Sequence, residues 1–404
     1  LLIFTPGCDS PAASPSADGP SLRKTASVDA SPRANIVHAT DDAPCDPIVP
    51  SHCALPYPNR YYLAPDSSRP TGLTVTFPEG AIPKDRLGEG FDVSDWEERL
   101  DGYNLAGPFL THIPELDLEE TGAPRHWNID RSLEADSPTI LLNLETGERL
   151  AHWVELDAST ANDNQRALFI WPTEALDYGT PYALALRDLK DSYGAAIAPS
   201  PAFQQLRDGT PSEDPALEGR QDAFEAIFTQ LERAGVERNE LTLAWDFVTA
   251  SKENTTGWLL HMRDDALARL PQGGPAYRID EVIDAPKEEI FRQIEGRMRA
   301  PLYLTTAAPT GRSEMVLGDD GLPEFQGFTW VPFTVTIPRS VGEDPSPSLV
   351  VQYGHGMFGD REEITYGWAR ALMNDHRYIA AGADWWGMAA EDIPSVVVTT
   401  FRDF

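Results

Sequence analysis

The residues with the clearest chemical potential form a turn after an apolar run, Ser348-Leu-Val-Val-Gln-Tyr-Gly-His-Gly-Met-Phe-Gly359. Glycines at 354 and 356 allow a sharp turn without a Cβ clash. After such a turn the backbone N–H of Met357 can face the point where a tetrahedral oxygen would form during acyl transfer. We therefore predict that Gly356 and Met357 belong to an oxyanion loop. In this loop His355 is interpreted as a structural residue and not as the catalytic base.

Two strands and a helix are predicted to position this turn. Residues 348–353 and 378–384 are both apolar enough to be strands buried on both faces. Between them, residues 361–374 are predicted to be helical, with an apolar side formed by Ile364, Trp368, Ala371 and Leu372. A strand, a helix and a second strand in this order indicate a βαβ unit and part of a parallel sheet.

This order of features resembles that of the α/β-hydrolase esterases, in which a second turn, here Asp384-Trp-Trp-Gly387, follows the next strand. The resemblance implies an esterase or lipase that acts on a carboxylic ester, through a Ser nucleophile, a His base and an Asp or Glu. The sequence contains no Gly-x-Ser-x-Gly pattern. Because the family order is Ser, acid, His, the resemblance places all three after residue 404. A Gly-rich turn that binds nothing remains the alternative.

Residues 45–207 are predicted to form a β-rich domain. The predicted strands there are Pro108–Ile113, Thr139–Leu144, Ala151–Leu156, Ala167–Trp171 and Tyr182–Arg187. Their spacing indicates an antiparallel sandwich, with a hairpin turn at Glu145-Thr-Gly147. The segment Trp171–Gly194 resembles bacterial Ig-like domains of surface proteins, and also the N-terminal domain of bacterial virulence-factor lipases. The resemblance implies an Ig-like fold over roughly residues 100–250.

A helical connector is predicted over residues 208–275. Its first helix carries an apolar face of Phe224, Ile227, Phe228 and Leu231, and Gly235 can end that helix. A strand is predicted at 241–249. Ser251 can cap a second helix, whose apolar face is Leu259, Met262, Ala266 and Leu270. Residues 276–404 are then the incomplete first part of the α/β-hydrolase domain, with a hairpin turn at Asp320-Gly321.

The N-terminal residues and the cysteines indicate a secreted protein. Leu1-Leu-Ile-Phe-Thr-Pro-Gly-Cys8 resembles a bacterial lipobox, in which the Cys is lipidated after cleavage; the alternative is a frayed terminus with an incidental Cys. Residues 1–44 are thus predicted to be a signal remnant and a disordered tether. Cys45 and Cys53 are predicted to form a disulfide, although a metal site that includes His52 stays open.

Composition limits the partners. The 404 residues include 64 acidic and 32 basic side chains, which gives a formal charge of −32. Such a surface repels nucleic-acid phosphates and anionic headgroups, so we expect no nucleic acid and membrane attachment only through a lipid anchor. No phosphate-loop, zinc or dinucleotide motif predicts a cofactor. We expect a monomeric α+β multidomain lipoprotein of the outer membrane or extracellular space that hydrolyses an ester. A non-catalytic surface lipoprotein that binds a glycan or protein is the alternative.

Overall fold

The protein is described here by a computed structural model that covers residues 45–397 except 78, 83, 85–87, 89, 91, 308–312 and 345. It is a mixed α+β chain whose described residues form two compact units, 45–256 and 257–397. The predicted lipidation of Cys8 and the tether over residues 1–44 lie outside the described residues. Within the described part, no helix is both long and apolar enough to cross a membrane.

The first unit is mainly antiparallel β-structure. Its described strands are β1 Leu63–Pro65, β2 Leu73–Val75, β3 Phe109–Thr111, β4 Thr139–Asn143, β5 His152–Leu156, β6 Leu168–Pro172, β7 Pro181–Arg187 and β8 Leu241–Val248. The described helices are α1 Ser94–Glu97, α2 Leu118–Thr121, α3 Pro201–Asp208, α4 Gln221–Arg233 and the start of α5, Lys252–Arg269. The strands predicted between residues 108 and 187 are all present, as is the strand predicted at 241–249.

Two three-stranded antiparallel sheets, in the orders β3-β6-β5 and β4-β7-β8, contribute to one apolar core. Strand β4 is buried along its whole length, whereas β5 alternates between buried and half-buried residues. Helices α3 and α4 contact β8, and their apolar side chains belong to the same core. The β4-β7-β8 sheet is therefore covered by protein on both faces, and the β3-β6-β5 sheet on one.

The predicted hairpin between β4 and β5 is confirmed only next to its turn, where Arg149 pairs with Leu142 in a single antiparallel bridge; the two strands themselves do not pair. The turn itself forms, with the Gly147 N–H donating to the Asn143 carbonyl at 2.9 Å and Gly147 at φ +73°. However, β4 pairs with β7, and β5 pairs with β6. The turn carries the chain from one sheet to the other, because a continuous apolar strand is stable where both faces are covered and an alternating strand is stable where one face is open.

The helix prediction for the connector is confirmed for α4, whose buried residues are Phe224, Ile227, Phe228 and Leu231. Helix α3 was not predicted, although Ser200 caps it and Pro201 begins it, a recognised start signal. The Ser251 hydroxyl caps α5 by accepting from the Asn254 N–H at 3.0 Å. The predicted apolar face of α5 is wrong in part, because Ala266 is buried but Leu259 is exposed.

The second unit contains a five-stranded sheet in the order β12-β13-β11-β10-β9 among the described residues. Its elements are β9 Tyr277–Lys287, β10 Ile290–Leu302, β11 Gly327–Pro338, α6 Arg339–Gly342, β12 Leu349–Tyr353, α7 Gly367–Asp375 and β13 Tyr378–Ala383. Strands β12 and β13 are parallel and α7 lies between them in the chain, so the predicted βαβ unit is present. The predicted turn at Asp320-Gly321 is present too, closed by the Gly318 N–H and the Leu322 carbonyl.

Two details of this βαβ unit differ from the prediction. Strand β12 pairs only with β13 in the described chain, and Leu349 and Val350 are 68% and 66% exposed, so β12 is not buried on both faces. The helical segment is interrupted, with a 3-10 turn at Arg361–Thr365 before α7 begins at Gly367. Ile364 is buried as predicted, but after the interruption Ala369 and Met373 face inward and the predicted Trp368 and Leu372 are exposed.

The predicted disulfide between Cys45 and Cys53 is present, with 4.9 Å between the Cα atoms. Because both sulfur atoms are in this bond, the alternative metal site with His52 is excluded. Asp46, beside Cys45, is fully buried, and both of its carboxylate oxygens accept from the Arg220 guanidinium at the start of α4. The disulfide-closed loop is thereby fixed to the helical layer of the first unit.

Candidate oxyanion loop

The predicted oxyanion loop, residues 354–359, follows β12 at the carboxyl end of the parallel pair. It is bonded to the loop that follows β13. The Phe358 N–H donates to the Met388 carbonyl at 2.7 Å, and the Ala390 N–H donates to the Gly359 carbonyl at 2.8 Å. Two loops at the carboxyl ends of neighbouring parallel strands therefore hold each other, at the edge of the sheet where α/β proteins bind ligands.

His355 is a buried link between these two loops. Its Nε2 accepts from the Trp385 N–H at 2.9 Å, and its Nδ1 lies 2.7 Å from the Gly356 carbonyl oxygen. An imidazole with this geometry uses Nε2 as an acceptor and Nδ1 as a donor. Both ring nitrogens are thus occupied by backbone groups, an arrangement suited to the structural role predicted from the sequence and not to a base.

Glu363, in the 3-10 turn after the loop, holds the loop through two hydrogen bonds, an arrangement called the Glu363 clamp below. Its Oε2 accepts from the Tyr353 hydroxyl at 2.8 Å and from the Gly356 N–H at 3.3 Å. Burial, and then the hydrogen bond to the Glu363 carboxylate, raises the pKa of Tyr353, so the hydroxyl remains a donor. From the sequence, Glu363 is most simply a solvated acid at a helix start; its hydrogen bonds to Tyr353 and Gly356 depend on the fold, which brings the carboxylate next to the turn.

The three glycines of the loop are not equivalent. A Cβ on Gly354 would lie 2.8 Å from Cζ2 of Trp385, and a Cβ on Gly359 would lie 1.8 Å from Oε1 of Glu363. A Cβ on Gly356 would meet nothing closer than 3.9 Å. A Cβ therefore fits at Gly354 only if the Trp385 ring moves, as predicted, and at Gly359 only if the Glu363 carboxylate swings away, which was not predicted. The predicted steric need for glycine at position 356 is wrong. The role left for Gly356 is its N–H bond to Glu363.

The second loop is held by two carboxylates. Asp384 accepts from the Arg361 N–H at 2.8 Å and from the Arg361 guanidinium at 2.6 Å. Burial is the largest single influence on the pKa of Arg361 and lowers it, but the charge and hydrogen bond of Asp384 together with the charges of Glu295 and Glu362 outweigh it, so the pKa is raised. Asp392 accepts from the N–H groups of Gly387 and Ala389 at 2.8 and 3.0 Å. The Asp-x-x-Gly turn quoted above is thus an ordered partner of the first loop.

The amide of Met357 differs from its neighbours in the loop. The N–H groups of Gly356, Phe358 and Gly359 donate to Glu363, Met388 and Gly356 respectively. The Met357 N–H makes no hydrogen bond to any other described residue, and the Met357 side chain is 72% exposed. Met357 therefore presents a backbone donor in the exposed part of the loop, between two residues, Gly356 and Phe358, whose own amides are engaged.

Sequence reasoning missed one pair of polar residues in the first unit. The Ser51 hydroxyl lies 2.7 Å from Nδ1 of His112, and Nε2 of His112 lies 2.9 Å from the Asp163 carbonyl oxygen. Ser51 is exposed and His112 is buried. A Ser–His pair can in principle activate a hydroxyl, but here the His is oriented by a backbone carbonyl and not by a carboxylate. Ser51 and His112 are 61 residues apart in the sequence, so no local pattern predicts this pair.

Among the described residues there is no group of three or more His, Cys, Asp or Glu side chains that could hold a metal ion. No protein-family model matches the chain, and no curated protein matches it. The candidate site therefore depends on its own geometry, in which two mutually bonded loops present the Met357 amide.

Proposed function

We propose that the protein is a carboxylic ester hydrolase in which the Met357 N–H is one donor of the oxyanion hole. The observation that carries the proposal is the free Met357 amide in a loop whose neighbouring amides are bonded. The order of a Gly-His-Gly turn, a helix, a parallel strand and an Asp-x-x-Gly turn supports it. By this proposal the second unit is the first part of an α/β-hydrolase domain and the first unit is Ig-like.

An oxyanion donor must be held in place before the charge develops, because reorganisation during the reaction would cancel its benefit. The loop meets this requirement at each end. His355 joins it to Trp385, Glu363 holds Gly356, and Phe358 is bonded to Met388. A fixed donor of this kind typically contributes about 3 kcal/mol to transition-state stabilisation.

The proposal assigns only the oxyanion part of the site to these residues. The sequence holds no Gly-x-Ser-x-Gly pattern, so the proposed Ser, acid and His follow residue 404 in the order expected for the fold. The substrate is a carboxylic ester, including esters of lipids, and the chemistry needs no cofactor. The proposed setting is the cell envelope, with a lipid anchor on Cys8 and a monomeric protein.

The test has two parts. The DNA that follows the Phe404 codon should encode a Gly-x-Ser-x-Gly sequence, then an acid and a His. The 404-residue chain alone should not release p-nitrophenol from p-nitrophenyl butyrate, whereas the longer product should. Hydrolysis by the 404-residue chain that disappears in Ser51→Ala would contradict the proposal, because it would place the nucleophile beside His112. A stop codon directly after Phe404 would favour the non-catalytic alternative.

A further inference from the structure

The face of the β3-β6-β5 sheet that points away from the core carries three large aromatic rings. Phe169 and Trp171 lie on β6, and Trp153 lies directly opposite Trp171 on β5. The ring centroids of Trp153 and Trp171 are 5.7 Å apart with 13° between the planes, and those of Phe169 and Trp171 are 6.1 Å apart with 11°. We call these three residues the aromatic platform. Its rings are nearly parallel and half-buried.

The platform is fixed by polar contacts. The Trp171 Nε1–H donates to Oε1 of Glu155 at 2.9 Å, and Glu155 is the cross-strand partner of Phe169. This bond restricts rotation of the indole and leaves the second Glu155 oxygen without a hydrogen bond to any described residue. At the other end the His126 ring stands edge-on to Trp153, at 5.8 Å. The rings are therefore bordered by a carboxylate and an imidazole.

The platform continues toward solvent through Trp127, which is 67% exposed. The Arg125 guanidinium lies over its ring, 5.0 Å from the centroid, and His126 meets it edge-on at 4.6 Å. Aromatic side chains thus run from Phe169 on β6 to the loop between α2 and β4. The strand residues that alternate with the platform, such as Ile170, fill the core.

Cross-strand aromatic pairs also stabilise sheets, so stacking alone does not indicate a ligand. The other sheet of this unit provides the comparison. There the large rings, Tyr182, Trp245 and Phe247, are almost completely buried. Of the two three-stranded sheets among the described residues of this unit, only β3-β6-β5 leaves a row of nearly parallel rings at its surface, with Glu155 near one end of the row and His126 at the other. Apolar rings bordered by a few placed polar groups are typical of ligand sites.

The chemistry of the row points to a sugar. A pyranose ring has an apolar face of C–H groups that can pack on an aromatic face, and hydroxyl groups around its rim that can donate to a carboxylate such as Glu155. A row of parallel rings offers successive packing positions to successive sugar units. The formal charge of −32 disfavours polyanionic glycans and anionic lipids. We propose that the aromatic platform binds a neutral oligosaccharide.

The proposal is tested with the 404-residue chain and neutral hexasaccharides: cellohexaose, xylohexaose, laminarihexaose, maltohexaose and chitohexaose. Isothermal titration and tryptophan fluorescence should detect binding of at least one. Trp153→Thr and Trp171→Thr, which keep strand propensity, should each weaken that binding about tenfold or more, because a packed ring face is lost. Trp330→Ala, at a half-exposed Trp of β11, is the control and should not change it.

Two further arms keep the test decisive. Oxidation by N-bromosuccinimide, measured by peptide mass spectrometry, should be slowed at Trp153 and Trp171 by the bound hexasaccharide. This measurement uses the parent protein, so it does not depend on whether the variants fold. A heparin hexasaccharide should not bind. Absence of binding by all five neutral hexasaccharides, or protection confined to tryptophans other than Trp127, Trp153 and Trp171, would overturn the proposal. The ester hydrolase proposal is not tested by either outcome, because the platform and the oxyanion loop lie in different units.

Discussion

Gly359→Ala is the substitution that most sharply tests how the oxyanion loop is held. A Cβ on Gly359 would lie 1.8 Å from Oε1 of Glu363, so the carboxylate must swing away. Its other oxygen would then lose the Tyr353 hydroxyl and the Gly356 N–H, which it accepts at 2.8 and 3.3 Å. The loop would lose both hydrogen bonds to Glu363, although the substitution removes no side chain. Gly356→Ala is the matched control, because a Cβ there meets nothing closer than 3.9 Å.

The expected cost follows from the two lost hydrogen bonds. A hydrogen bond to a charged group contributes about 1.5–3 kcal/mol when buried. Glu363 is half-buried and the Gly356 bond is long, so water recovers part of this and roughly 1–3 kcal/mol is lost. Replacing Gly by Ala returns about 0.4–1 kcal/mol through the unfolded chain. We expect Gly359→Ala to destabilise the second unit by about 1–2 kcal/mol.

The assay combines thermal unfolding with hydrogen exchange. The unfolding midpoint of the second unit should fall by roughly 3–10 °C in Gly359→Ala. Exchange of the Gly356 amide should speed up by roughly 5–30-fold, the factor that corresponds to 1–2 kcal/mol. In a Glu363→Ala background the same Gly359→Ala change should cost nothing, because the clash is gone. If Gly359→Ala and Gly356→Ala had the same unfolding midpoint in the parent chain, the role of Glu363 in holding the loop would be contradicted.

Three further predictions concern the first unit. Burial lowers the pKa of His152 to about 4, so the unfolded chain binds a proton at higher pH than the folded chain. The free energy of unfolding should therefore fall by up to about 3 kcal/mol as the pH drops from 6.5 to 4. Urea unfolding of His152→Gln should lack this pH-dependent loss, and the same pH dependence in the variant would refute the prediction. Arg220→Met should lower the free energy of urea unfolding by about 3–5 kcal/mol, because it leaves the Asp46 carboxylate buried without an opposite charge. Adding Asp46→Asn should recover part of that loss. Purely additive losses in the double variant would contradict the ion pair. Replacing Cys45 and Cys53 by Ser should lower stability by about 2–3 kcal/mol, and reductant should destabilise the parent chain by a similar amount but leave the variant unchanged.

Local patterns in the sequence predicted strands β3 to β8 and helix α4 of the first unit, but not helix α3. The alternation in β5 and β6, and the spacing of Phe224, Ile227, Phe228 and Leu231 in α4, each reflect one buried face, which periodicity reports directly. Strand partners were not predictable in this way. Turn chemistry at Gly147 correctly predicted a reversal, but the pairing of β4 with β7 is decided by how both faces of that sheet are covered.

The site shows the same division between local and long-range information. The Gly-His-Gly turn and the Asp-x-x-Gly turn were visible in the sequence, and the structural role of His355 stays a prediction with which its two backbone contacts agree. The clamp by Glu363 was not, because it depends on where a 3-10 turn places that side chain. The exposure of Leu349 and Val350 was also mispredicted, since apolar composition cannot reveal that β12 pairs only with β13 in the described chain. Trp153 and Trp171 become one row only through strand register.

The most direct test of the ester hydrolase proposal is the turnover of the full-length protein with Met357→Pro and Met357→Ala, measured on p-nitrophenyl butyrate. Proline removes the backbone N–H, whereas alanine keeps it and changes only an exposed side chain. We expect kcat to fall about 10²–10³-fold in Met357→Pro, the usual effect of losing one oxyanion donor, with Met357→Ala near the parent value and both variants unfolding at the parent temperature. Equal kcat values for the folded proline and alanine variants would contradict the assignment of the Met357 amide to the oxyanion hole.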